Sequence, residues 1–120
     1  MSRNERAVAA VLICLLHLAL FAPFAGDEGG PVETDFHPEA EAIEEGAKPY
    51  SGQDLEYPPL SIPVIVGPAL VSEGLGGYAT AFHWEMIGFD LAIVLMLALS
   101  LAGGRREVLG SLAVYTLGVV

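Results

Sequence analysis

Residues 7–25 read AVAAVLICLLHLALFAPFA and carry no formal charge apart from the imidazole of His17. A helix rises 1.5 Å per residue, so about 20 apolar residues cross the hydrocarbon core of a bilayer. The run is just long enough. The same pattern returns at residues 79–102, ATAFHWEMIGFDLAIVLMLALSLA, interrupted only by Glu85 and Asp90. A third run begins at Val108 and is still apolar at Val120. Three such runs in 120 residues make the chain read as a set of membrane-crossing helices.

Composition agrees. The chain is 53% hydrophobic and 17% charged, with a mean hydropathy of +0.55; a soluble domain has about 25% charged residues. The charge is also sorted. Ten of the 15 acidic residues lie between Asp27 and Glu56. The bases form two pairs, Arg3 with Arg6 and Arg105 with Arg106, and Lys48 stands alone between them. The net charge of -10 therefore describes one acidic loop. No basic face exists for a nucleic acid. The single cysteine, Cys14, allows no intramolecular disulfide and gives no compartment signal.

The first run has an alternative reading as a secretory signal peptide, with Arg3 and Arg6 as the n-region and residues 8–21 as the h-region. Cleavage after Ala25 would put Pro23 where a small residue is wanted, which argues against it. Lys and Arg favour the cytoplasmic side. Residues 1–6 are then cytoplasmic and residues 7–25 form the first span. Residues 26–78 form an outer loop, and 79–102 form the second span. Residues 103–107, with Arg105 and Arg106, return to the cytoplasm. Residues 108–120 start a third span; thirteen residues make about 20 Å of helix, short of a roughly 30 Å core. The chain reads as the N-terminal part of a longer protein. Residues 58–72, with Pro58, Pro59, Pro63 and Pro68, are too short to cross and fit a re-entrant or interfacial helix.

The outer loop carries order signals. In TDFHPEAEAIEEGAKPY, Thr34 or Asp35 suits a helix cap, Pro38 the first turn and Gly46 the stop, giving a helix over about 38–46. Phe36, Ala40, Ile43 and Ala47 fall at helical spacing on one face. A plain solvated acidic linker is the competing reading. Then DLEYPPL, residues 54–60, places two acids and a tyrosine before a double proline. Proline fixes the entry angle of the apolar helix that follows, and the acids before it stay at the water boundary.

The stretch TDFHPEAEAIEEGAKPYSGQDLEYPPLSIPVIVGPAL resembles the first outer loop of polytopic GT-C glycosyltransferases, in particular the family 87 mannosyltransferase-like group. The matching letters are Asp35, Gly46, Pro49, Tyr50, Glu56, Tyr57, Pro58 and Pro59, and the resemblance covers residues 34–70. It implies an all-α, polytopic membrane helical bundle with short juxtamembrane or re-entrant helices in its first outer loop. It implies an inverting enzyme that moves a hexose, with mannose the family precedent. The donor would be a polyprenyl-phosphate-linked sugar, and the acceptor a glycan or glycolipid on the outer face of the cell membrane. Asp35 is the position matching the family's catalytic base. The chemistry suits it: a carboxylate accepts the proton of an attacking hydroxyl. The departing phosphate needs cationic stabilisation, by Arg, Lys or a divalent cation; Lys48 is the one outer base.

Each candidate has a plainer reading. Asp35 also suits a helix cap. Asp54 and Glu56, with Tyr57 and Lys48, are candidates for substrate binding, or a solvated group at the interface. Asp35 with His37 falls far below a metal ligand set, so no metal site is assigned. Asp90 lies about 18 Å along its helix from the cytoplasmic end, near mid-membrane, where charge is costly and usually functional. It should have a polar partner, expected on a helix outside this chain. Glu85 lies nearer the outer boundary. His17 is expected to pack in the bundle without a partner, and His83 with Trp84 to sit in an outer interfacial belt. Two other functions compete: a transporter or channel subunit using Asp90 and Glu85, and a small membrane protein whose acidic loop binds a partner.

Overall fold

The computed structural model describes residues 1–49, 57–100 and 103–119, and these form helices and turns with no strand among them. In chain order they are α1 (Arg3–Phe21), a 3-10 turn (Ala22–Phe24), a π turn (Val32–Phe36), α2 (His37–Glu44), a second 3-10 turn (Pro59–Ser61), α3 (Ile62–Val71), α4 (Gly74–Ser100) and α5 (Arg105–Val119). Two of these are long and apolar enough to cross a membrane: Arg3–Phe24, with mean hydropathy 2.5, and Gly74–Leu99, with 1.7. The helix at 58–72 forms where the prolines direct it. Pro58 is extended at its entrance and Pro59 opens the turn that leads into α3.

The chain divides into two compact units. The first contains Met1–Pro23 and Met86–Val120. Here α1 opens with a capping box: the Ser2 hydroxyl accepts the Glu5 N–H at 3.2 Å, and the Glu5 carboxylate accepts the Ser2 N–H at 2.7 Å. The core is Ala10 of α1, Val94 and Ala98 of α4, and Val108 and Leu112 of α5. Alanine at the contact lets the helix backbones approach closely. The Arg6 guanidinium donates to the Gly103 carbonyl at 2.8 Å, tying the start of α1 to the turn before α5. That turn has its own cap: the Glu107 carboxylate accepts the Gly104 N–H at 2.9 Å. Outside the core, Val8, Val11, Leu12 and Leu15 of α1 and Met96 and Leu99 of α4 are exposed. An apolar face of that extent marks a surface that contacts lipid or another protein.

The second unit is Phe24–Glu85. Its core is Val32, Ala40, Ile65, Tyr78, Ala79 and Phe82, so α2 and α3 pack together with the first turns of α4. Aromatic rings fill it: Phe36 meets Phe82 at 5.1 Å, and Tyr78 stacks on Phe82 at 6.0 Å. The Tyr78 hydroxyl, buried, donates to the Ile65 carbonyl at 2.8 Å. Helix α2 ends as its sequence directs. Gly46 adopts φ +98° and its N–H bonds the Ile43 carbonyl, while the Ala47 N–H reaches Ala42. This pair of bonds is the Schellman ending, which needs a residue at ease with positive φ. The face of Phe36, Ala40, Ile43 and Ala47 is turned inward, with Ala40 fully buried.

Candidate functional site

Asp35 does not cap a helix. The backbone is already helical before it: Pro31 precedes the π turn, Phe36 precedes α2, and neither start has a side-chain cap. Thr34 likewise turns back, its hydroxyl donating to the Gly30 carbonyl at 3.2 Å. Both cap assignments read from the sequence are therefore corrected, because a π turn continues the helix one turn further towards the N-terminus. Asp35 is exposed, and among the described residues it makes no hydrogen bond or ion pair.

The residues around it are polar and partly sheltered. Glu39, one turn on, has a buried carboxylate oxygen with no hydrogen-bond partner. Burial pushes its carboxyl above the ordinary range, and the nearby charge of Asp35 adds to this. His37 lies 5.0 Å from the Tyr78 ring, and its Nε2 is 3.5 Å from the Glu41 carboxylate. His37, Glu41, Glu44, Ser72 and Glu73 line a cleft of about 230 Å³. Carboxylates and an imidazole around such a cleft are suited to accepting hydrogen bonds from hydroxyl groups.

The other candidates are distributed unevenly. Tyr57 is half-buried, its ring 5.5 Å from Phe36, and Lys48 is exposed. Asp54 and Glu56 lie outside the described residues. Glu85 has one buried, unpartnered oxygen, while its other oxygen approaches Gly67 of α3; a Cβ on Gly67 would stand 3.3 Å from it. His83 accepts the Gly26 N–H at Nδ1, 3.1 Å, a partner that the sequence did not reveal. Among the described residues no group of three metal-ligating side chains occurs.

The first unit holds a cluster the sequence reading did not assemble. His17, wholly buried on α1, has Nδ1 2.6 Å from one Asp90 oxygen. The Tyr115 hydroxyl donates to the other Asp90 oxygen at 2.8 Å. His17 Nε2 lies 2.9 Å from the Thr116 hydroxyl, and the imidazole stacks on Tyr115 at 5.9 Å. Two expectations are corrected here. Asp90 finds its polar partners inside this chain, on α1 and α5, and His17 is one of them. A depth count carries the signal. His17 lies about 21 Å from the start of α1, Asp90 about 15 Å from the end of α4 and Tyr115 about 15 Å from the start of α5, by the rise per residue. Polar residues at matched depth on neighbouring apolar helices are partners in waiting.

No family model, curated protein or solved structure matches the chain.

Proposed function

We propose that the chain is the acceptor-activating part of an integral membrane glycosyltransferase of the GT-C type, N-terminus cytoplasmic and Phe24–Glu85 on the outer face. One observation carries the reading: Asp35 is presented to solvent with no structural task. An acid held in a helical turn, not spent on a cap, is available to take the proton of an attacking hydroxyl. Two features support it further. Short helices α2 and α3 lie in the chain between two helices long enough to cross a membrane. The letters from Asp35 to Pro59 resemble the first outer loop of family 87 enzymes. A hexose would pass from a polyprenyl-phosphate donor to the acceptor with inversion. Lys48 is the single Lys or Arg of this unit, so the bulk of the donor phosphate's cationic support lies in parts of the enzyme beyond this unit.

The test is sugar transfer from polyprenyl-phosphate donors by membranes carrying the protein, comparing wild type with Asp35→Asn and Asp35→Glu. Loss of a base costs about 10²–10⁴-fold in turnover. Asp35→Asn should fall by that amount with unchanged membrane content. Equal turnover in both would remove Asp35 from the chemistry. A second reading, a transporter or channel subunit, is favoured by the buried His17–Asp90 pair, since intramembrane ionisable pairs mark ion paths. That reading predicts solute or ion flux sensitive to Asp90→Asn and indifferent to Asp35→Asn.

A further inference from the structure

An open groove of about 410 Å³ runs between α1 and α5 in the first unit. Val8, Ala9 and Leu12 of α1 and Leu109 of α5 form its floor, and Val8 and Leu12 are 59% and 60% exposed. Its mouth is polar. Arg105, the first residue of α5, stands there with Asn4 and Glu5. The Glu5 carboxylate, bonded by the Ser2 N–H, also feels the charge of Arg105, so the mouth sets one carboxylate against two cations, Arg105 and the Met1 ammonium. Among the described residues no carboxylate lies within ion-pair distance of Arg105. The start of α5 adds little to this field, because the Glu107 carboxylate already sits on the Gly104 N–H and the Gly104 carbonyl accepts from Glu107 and Val108.

We infer that this groove binds one acidic phospholipid, its phosphate on Arg105 beside the Met1 ammonium, and an acyl chain along Val8, Leu12 and Leu109. Charge complementarity selects the occupant. An apolar slot alone would take any lipid tail, but a slot with a guanidinium at its mouth discriminates by headgroup. Basic pockets between membrane helices on the cytoplasmic side bind anionic headgroups, and each base near the surface contributes about 1 kcal/mol, roughly five-fold in affinity. A free phosphate would use Arg105 but leave the apolar floor empty. The inference rests on the membrane reading of α1 and α4 and is independent of the glycosyltransferase chemistry.

The experiment reconstitutes the full chain in bilayer discs containing equal parts phosphatidylglycerol and phosphatidylcholine, extracts it gently, and counts retained lipids by native mass spectrometry. Wild type should keep one phosphatidylglycerol in preference to phosphatidylcholine. Arg105→Gln should reduce that preference about five-fold. Val8→Trp, which fills the groove from its exposed side, should reduce retention of either lipid. Arg106→Gln changes a neighbouring exposed base outside the groove and should leave the preference standing. Equal retention of both lipids by wild type overturns the site, as does equal weakening by Arg105→Gln and Arg106→Gln, which is the signature of diffuse attraction. Displacement of the lipid by millimolar inorganic phosphate also overturns it, in favour of a phosphate site. Failure of wild type to enter the discs rejects the membrane reading and the site together; entry without headgroup preference rejects the site alone.

Discussion

His17 Nδ1 and Asp90 Oδ2 lie 2.6 Å apart, joining α1 to α4, and every polar atom of both side chains is engaged once Tyr115 and Thr116 of α5 are counted. A buried pair of this kind contributes little net stability over apolar residues of the same shape, but breaking it is expensive. His17→Leu and Asp90→Leu should each destabilise the first unit by about 3–5 kcal/mol, because each leaves an unmatched polar group in an apolar core. The double replacement should cost much less than the sum. Reversible unfolding of the four proteins in bicelles measures the coupling, and simple additivity would show that the two side chains do not act as a pair.

Tyr115→Phe removes one hydrogen bond to Asp90 and leaves the His17 contact. A loss of about 1.5–3 kcal/mol is expected, the range for a hydrogen bond to a charged group and below that of Asp90→Leu. A loss as large as that of Asp90→Leu would mean that Tyr115, not His17, is the principal partner.

Gly103 has no room for a side chain. A Cβ there would collide with the Glu107 carboxylate and stand 2.9 Å from the Glu107 Cβ, the near and inflexible end of that side chain. Gly103→Ala should displace Glu107 from the Gly104 N–H and cost about 1 kcal/mol, the value of a lost cap. Hydrogen exchange at the first amides of α5 should speed up in Gly103→Ala and in Glu107→Ala alike. Protection unchanged in both would show that the cap does not hold that helix end.

Glu39 gives the second unit a pH dependence of defined sign. Its carboxyl is raised, chiefly by burial and then by the charge of Asp35, so the folded unit holds a proton more tightly than the unfolded chain does. That contribution is fully present below the ordinary glutamate value of 4.5 and is lost as pH rises through the raised folded value. Glu39→Gln should therefore stabilise the unit at neutral pH, and the advantage should disappear in acid. Protease resistance of the loop followed from pH 4 to pH 8 checks this. An advantage independent of pH would point to packing instead of charge.

Much of the architecture is legible in the chain. The apolar run at 7–25 holds α1 and the turn after it, and the run from 79 lies in α4, which starts five residues earlier, at Gly74, within the stretch read as loop; the face of Phe36, Ala40 and Ile43 became the inner side of α2, and Gly46 ended that helix. These features follow from local rules of length, spacing and backbone freedom. What escaped depends on other segments. Asp35 has the composition of a cap, yet the chain begins its turn earlier, at Val32, and no local rule favours a π turn. The partners of Asp90 lie 73 and 25 residues away in the chain, and which apolar faces meet is decided by packing of Ala10 against its neighbours, not by periodicity. Glu39 read as one of several acids on a short helix and Glu85 as an acid near the outer end of a span, and their buried oxygens follow from tertiary enclosure.

The distribution of the His17 cluster over three helices bears on the order in which the protein is made. At translation speeds of about 5–20 residues per second, the 25 residues between Asp90 and Tyr115 take roughly 1–5 s to appear. During that interval His17 is already synthesised, and of the Asp90 partners described above it alone is available. The ribosome thus delivers the base first, the acid second and the hydroxyls of α5 last.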